Sequence, residues 1–463
     1  MATIITQEPL YNPLPVGQDI IFTLTNASVV STYFNVKFIA EVYISNSTPS
    51  TATANLVGTF KTTPNTVGVG IFDFSAVVET HVKADNLGSI LSSYKGALSL
   101  AAPFPPIHII DKLSLNPNAM RWMTIKFSIE GSTTATGIPS IIPTQGVNSV
   151  PFKIFNGYVK HTNKLDEDDN DIGLDIGIGS DTHLELGSTT ASFLSNAPTT
   201  QYANINDYGT VGLLPLNDNL SYMKFIYYNS AGVTLGNESV LTSISPSSAI
   251  IQKILYFGCF PANLRNWSNY FDPTNPSNII TTIQGGYYTV QGFNVSNDAI
   301  SALYTINVNC PNLKNYEPIR LTWLNQWGAW DYYTFTLKSS RTISTQGSTY
   351  NQLEGTWNES AFRLNGFKGG KRSFRVNATE KVTMNTDYVN ESESEWFEDL
   401  INSPEVYMLE GYQTDSAFSM LNTYVTPVRL TTSSYTRKTI ANDKLMQYTF
   451  EVEKSKTFRT QSV

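Results

Sequence analysis

The sequence is poor in cysteine, histidine, charge and long apolar runs, and each scarcity removes a class of protein. Cys259 and Cys310 are the only cysteines in 463 residues. They cannot make a disulfide framework, and an isolated pair in a long chain behaves as two small buried hydrophobes. The four histidines, His81, His108, His161 and His183, fall into no HExxH or paired spacing, and no CxxC occurs. Zinc and haem sites therefore have no basis in the sequence. Charged residues make up 15% of the chain, well below the ~25% of an ordinary globular protein. Aromatics reach 12%, which excludes wholesale disorder. Thirty Lys and Arg against 38 Asp and Glu leave a net charge of -8, so a groove that follows phosphate backbones is not expected and no nucleic-acid partner is predicted. No apolar run reaches the ~18 residues of a helical membrane span. Residues 1–9 carry no basic stretch followed by an apolar segment and a cleavage site. The product is thus expected to stay in the cytosol where it is made, or to leave by a route other than the general secretory one.

What the sequence does have is period-two alternation, the signature of strands. It is clearest at residues 34–44, 56–61, 122–129, 222–228, 304–308, 319–324 and 425–430, with further strands expected at 19–25, 69–74, 76–82, 152–159, 209–216, 250–257, 287–290, 332–337 and 446–452. Such short strands, divided by Gly, Pro and Asn turns, predict an all-β chain of several antiparallel β-sandwich domains with one or two short helices. One helix is expected over residues 86–94. The other starts at the capping-box arrangement Ser392-Glu393-Ser394-Glu395, carries Trp396, Phe397, Leu400 and Ile401 at helical spacing, and ends at Ser403-Pro404. Four domains are expected: 1–145, an N-terminal sandwich; 146–278, a β-rich unit with an acidic loop; 279–345, a β domain with an aromatic hairpin; and 346–463, a C-terminal β domain with one short helix. No repeat of fixed period is present, which argues against solenoids and propellers.

Candidate chemistry is sparse. The acidic run from Asp166 to Asp171 has the oxygen ligands calcium takes, but read as an EF-hand it places Asp171 where glycine belongs and Gly177 where the closing glutamate belongs. A solvated loop is expected, and no metal. The glycines of residues 173–179 are followed by neither the Lys of a phosphate loop nor a helix, so no cofactor is predicted. No GxSxG elbow exists. Glu393, Glu395, Glu398 and Asp399 lie on one short helix, where they suit its dipole better than a pair of glycosidase carboxylates. The expectation is a protein that is not an enzyme.

The most distinctive stretch is residues 320–335, Arg-Leu-Thr-Trp-Leu-Asn-Gln-Trp-Gly-Ala-Trp-Asp-Tyr-Tyr-Thr-Phe, with three tryptophans inside eight residues. The plain reading is a β-hairpin in which Trp323 and Phe335 pack inward and Asp331 fixes the turn. The functional reading makes Trp327, Trp330, Tyr332 and Tyr333 a sugar-stacking platform or an intersubunit patch. Since interface anchors are typically Trp, Tyr and Arg, the candidate interface set is Arg320, Trp323, Trp327, Trp330, Asp331, Tyr332 and Tyr333.

Residues 320–335 also resemble a motif of virion structural proteins of tailed bacteriophages, especially phages of Bacteroidota and the crAss-like group. The resemblance extends to residues 38–43, 60–65 and 68–73, to the helix and its sequel over 396–407, and to residues 442–453. It implies a structural component of the virion in the tail, collar or baseplate region, assembled in the host bacterial cytoplasm. Its partners would be other virion proteins and further copies of itself. Two alternatives belong to other classes: an adhesion protein that binds a host glycan or receptor, and a polysaccharide-degrading tailspike. The tailspike would carry a long repetitive β-helix, and the sequence has none.

Overall fold

The computed structural model describes residues 3–9, 12–46, 48–83, 113–116, 119–158, 189, 191–214, 220–241, 254–264, 268, 270–271, 286–308, 316–357, 359–409, 425–436 and 446–459. The chain is all-β and forms two compact units. The first holds Met1–Pro311 with Leu324–Asp331 and Gln413–Phe418, and the second holds Asn312–Trp323, Tyr332–Tyr412 and Ser419–Val463. The expected helix at 86–94, the acidic run at 166–171 and the glycines at 173–179 lie outside the described residues.

The first unit contains two pairs of facing sheets. In the first pair, a three-stranded sheet is ordered Ile4–Gln7, Ile21–Thr25, Val69–Asp73. It faces a seven-stranded sheet whose main path runs Leu14–Pro15, Phe152–Phe155, Met120–Ser132, Phe34–Ser45, Leu56–Thr62. Alternation supplies the filling. Phe22 of the small sheet lies 5.8 Å from both Phe127 and Phe152 of the large one, and Phe72 and Phe74 close the cluster. In the second pair, a five-stranded sheet is ordered Thr200–Ala203, Tyr304–Val308, Tyr287–Phe293, Tyr222–Tyr228, Thr234–Leu241. It meets a three-stranded sheet of Thr210–Leu213, Ile254–Gly258 and Leu113–Asn116. Phe225 packs 5.9 Å from Phe257, and the buried Tyr288 hydroxyl donates to the Cys259 carbonyl. Pairing is antiparallel except where Phe152–Phe155 runs parallel to Leu14–Pro15 and Thr200–Ala203 to Tyr304–Val308. Cys259 is buried with a free thiol.

One expected strand is corrected. Residues 76–82 form a turn of α-helix, Ser75–Val78, continued by a 3₁₀ turn, Glu79–His81; the β-branched Val77, Val78 and Val82 imitate strand composition there. A short helix also occupies Ala27–Thr32, capped by the Asn26 side chain, which accepts from the Val29 N–H.

The second unit is built on a seven-stranded sheet ordered Trp330–Phe335, Ile319–Leu324, Val406–Leu409, Val425–Leu430, Thr449–Lys454, Gly370–Asn385, Ser340–Gln352. The Glu391–Asn402 helix covers one of its faces. Its cap is two residues earlier than the sequence suggests: Asn390 accepts from the Glu393 N–H, and Glu393 reaches back to the Asn390 N–H. Ser403 ends the helix before Pro404. Trp396, Phe397 and Leu400 are buried, with Trp396 5.0 Å from Trp323 and Phe397 4.9 Å from Tyr333 and 5.4 Å from Phe450. The buried Ser394 hydroxyl shares a 2.7 Å hydrogen bond with Tyr448 and fixes the helix against the sheet.

Candidate functional site: an exposed arm

The tryptophan hairpin is a core element, which corrects its assignment as an interface. Ile319–Leu324 and Trp330–Phe335 are its strands. Arg320, Trp323, Trp327, Trp330, Asp331 and Tyr332 are buried by their own chain, and Tyr333 is half-buried. A stacking platform or a contact patch needs ring faces open to solvent, and these rings are already covered. Trp323 and Phe335 do point inward. Arg320 donates to the Thr334 hydroxyl at 2.7 Å and lies 5.2 Å over the Tyr332 ring. Trp327 donates through Nε1 to Asn196. The turn is fixed by Asn325 rather than by Asp331. The Asn325 Oδ1 accepts from the N–H groups of Trp327 and Ala329 while its Nδ2 donates to the Leu194 carbonyl; Asp331 instead accepts from the Ser195 hydroxyl at 2.6 Å. Gly328 sits at φ +74, and a Cβ there would fall 2.0 Å from the Asn156 carbonyl oxygen, so no other residue fits.

Exposed chemistry gathers instead on the next hairpin. Ser340–Gln352 and Gly370–Asn385 pair along their whole length. Gly370–Asn385 has a second strand neighbour only over Lys381–Asn385, where Thr449–Lys454 pairs with it, plus an isolated bridge from Ala378 to Phe458. Among the described residues, everything from Gln346↔Asn377 outward pairs only within the hairpin. Seven residue pairs at about 3.4 Å each make a ribbon of roughly 24 Å before the tip. Phe374 is the unpaired residue of a bulge between Ser348↔Arg375 and Thr349↔Ser373, a device that increases twist and spoils an edge for further strand addition.

The tip, residues 353–369, is folded on itself. The buried Thr356 hydroxyl accepts from the Arg363 N–H at 2.8 Å and donates to the Ala361 carbonyl at 3.0 Å. Gly355 at φ +80 lies against Phe362, where a Cβ would meet the ring at 2.2 Å. Trp357 donates to the Glu354 carbonyl, and its ring is 5.0 Å from that of Phe362. This order leaves the large apolar side chains outside: Leu353 is 73% exposed, Trp357 66%, Phe362 57%, Leu364 69% and Phe367 72%. Ile343, Phe374 and Val376 are exposed behind them. Covering a side chain of this size is worth about 1.5–3 kcal/mol, so leaving five of them exposed on one tip is costly in water.

Charge is segregated in the same way. Residues 362–376 contain Arg363, Lys368, Lys371, Arg372 and Arg375 and no acid, in a chain of net charge -8. Among the described residues these five make no ion pair; Arg372 donates to the Phe367 carbonyl, and Lys368 lies over the Phe367 ring. At the root, by contrast, charges are paired. Arg341 bonds Glu317 and Glu380 at 2.7 Å each, Lys454 reaches Glu380 at 3.2 Å, and Lys381 meets Glu451 at 3.1 Å. Burial alone would raise the Glu380 pKa, but hydrogen bonds from Arg341 and Lys454 outweigh it and hold the carboxyl below its ordinary value. Residues 382–409 show the opposite bias, with Asp387, Glu391, Glu393, Glu395, Glu398, Asp399 and Glu405 and no Lys, Arg or His. Burial, and then the neighbouring Asp387 charge, push the Glu393 pKa up against its hydrogen bond to the Asn390 N–H.

The sequence reading missed the arm because it lies in a stretch with no apolar alternation. The available signal was the run of Ser and Thr over 340–349, the Gly369-Gly370 pair, and five basic residues interleaved with Phe362, Phe367 and Phe374. Among the described residues no group of three or more His, Cys, Asp or Glu could hold a metal, and no helix is long and apolar enough to cross a membrane.

No family model and no curated protein matches the chain. Solved structures with some likeness include a calcium-stabilised adhesin by which an Antarctic bacterium binds ice, at 8% identity over 98% of each chain with a TM-score of 0.16. A second is a structure on host cell surface retention of a 1.5-MDa bacterial ice-binding adhesin, at 8% identity over 80% of this chain and 86% of that one, TM-score 0.14. A third is a Salmonella alpha-2-macroglobulin mutant, at 7% identity over all of this chain and 34% of that one, TM-score 0.16. Scores this low establish neither a shared fold nor a shared function.

Proposed function

We propose that the protein is a structural subunit of a larger assembly, a virion component of the tail region of a tailed bacteriophage, and that the 340–385 arm makes its subunit contacts. The observation that carries the assembly half is the ordered tip with five large apolar side chains more than half exposed. A two-stranded ribbon is marginal by itself, and one ending in such a patch is completed by a partner. The phage half rests on the resemblance of residues 320–335 and the other segments named above. In this reading the protein has no catalytic role: its function is geometric, with packed sandwiches fixing spacing and the arm fixing register with neighbours.

Density-gradient fractionation of lysates from cells expressing the encoding genome tests this. The protein should band with DNA-filled particles and be lost from them when residues 346–377 are replaced by a tight turn. Its absence from particles, or release as a free monomer that binds host glycan, overturns the virion reading.

A further inference from the structure

We infer that the arm tip docks onto a second copy of this chain, and that the surface it seats on is the acidic face at the start of the Glu391–Asn402 helix, around Asp387, Tyr388 and Glu391. This rests on the assembly reading above and names the partner that reading leaves open.

Two observations within one unit point to each other. The tip offers exposed apolar side chains flanked by five basic residues against two exposed acids, Glu354 and Glu359, and among the described residues none of the five makes an ion pair. The helix start offers the converse. Asp387, Glu391 and Glu395 are exposed, Glu393 is half-buried beside them, and no basic residue occurs between Lys381 and residue 409. An acidic cluster alone would signify nothing, but Tyr388, which follows Asp387 and precedes Glu391 by three positions, is 62% exposed in the same stretch. An exposed aromatic in an acidic stretch is the complement of exposed aromatics in a predominantly basic one. Ring faces meet rings, and the charges around them set the register.

The geometry favours docking between copies. From Asn377 outward the ribbon pairs only with itself, so the described structure keeps the tip free of its own sheet. The two surfaces also differ in kind, one a projecting tip and the other a helix start. Two copies that exchange tips reciprocally close as a two-fold dimer, and one-way contacts close into rings or run on as filaments. Tip against tip, by contrast, would set one predominantly basic surface against another. An anionic membrane is the other occupant that an apolar, basic tip could take; the acidic face on the same chain favours the protein partner.

Charge reversal with rescue tests it, read by sedimentation of the full chain over a concentration series. Arg372→Glu with Arg375→Glu should weaken self-association about tenfold or more, and Asp387→Lys with Glu391→Lys should weaken it similarly, as losing complementary charge does at interfaces. A chain carrying all four changes should regain association to within about threefold of the unmodified protein, since its two surfaces are again complementary. Raising salt from about 50 mM to about 500 mM should weaken the unmodified protein and the rescued chain alike. All four positions are exposed, so folding, checked by thermal melting, should be preserved. Three results would overturn the inference: a monomer at every concentration, association that the tip changes weaken but the Asp387 and Glu391 changes leave intact, or no rescue. Binding of a monomeric chain to phosphatidylcholine–phosphatidylglycerol vesicles but not to phosphatidylcholine alone would replace the protein partner with a membrane. A monomer that still bands with particles would refute self-docking while leaving the assembly reading standing.

Discussion

Two consecutive hairpins carry much of the aromatic content of residues 319–385, and they use it in opposite ways. The 319–335 hairpin buries Trp323, Trp327 and Trp330, and the 340–385 arm exposes Trp357, Phe362 and Phe367. The ring chemistry is the same, and what differs is what lies over it. Trp323 has the Trp396 and Phe397 rings of a capped helix above it. Beyond Asn377 the arm has no further strand and no helix on either side among the described residues. Aromatic density in a sequence therefore marks where apolar area must be covered. Whether the cover comes from the same chain or from another molecule is decided by neighbouring elements.

The contrast can be broken most forcefully in the buried hairpin. Trp323→Ala should cost about 3–5 kcal/mol of unfolding free energy, the range for emptying a large aromatic site, seen as a fall in denaturation midpoint. Asn325→Ala comes next. It strands the buried N–H groups of Trp327 and Ala329 and the Leu194 carbonyl, for a loss of about 2–3 kcal/mol, and Asn325→Asp should recover part of it because the Oδ1 acceptor remains.

The arm root supplies a smaller, pH-dependent effect. The Glu380 pKa is lowered on folding, so its contribution is present above the ordinary 4.5 and is lost as pH falls through the lower folded value. The protection of amides 340–345, taken relative to the intrinsic exchange rate at each pH, should therefore fall in acid, below the ordinary carboxylate range. In Glu380→Gln that protection should already be lower near neutrality and change less with acid. The smallest effect on stability belongs to Trp357→Ser, below about 0.5 kcal/mol, as for exposed positions generally, although association should weaken. A large stability loss there would mean that the tip is part of its own core.

The sequence was most legible where one face of a strand is buried. Tyr222–Tyr228, Tyr304–Val308, Ile319–Leu324 and Val425–Leu430 have the bounds that alternation predicts. The helix was legible through Trp396, Phe397 and Leu400, but the sequence places its cap at Ser392 because the Ser-Glu pairs imitate a capping box two residues beyond Asn390. Residues 340–352 gave no periodic signal because neither face of that ribbon is buried, and hydropathy alternates only when one face is. That is also why the sequence points to the tryptophan hairpin as the exposed one: tryptophan spacing is visible in sequence, and the helix covering Trp323 is not.

Sedimentation velocity of the full chain beside a variant with Leu353, Trp357, Phe362 and Phe367 all changed to Ser tests the central claim most directly. The account predicts a concentration-dependent oligomer for the first and a folded monomer with an unchanged denaturation midpoint for the second. Equal masses at every concentration would contradict it.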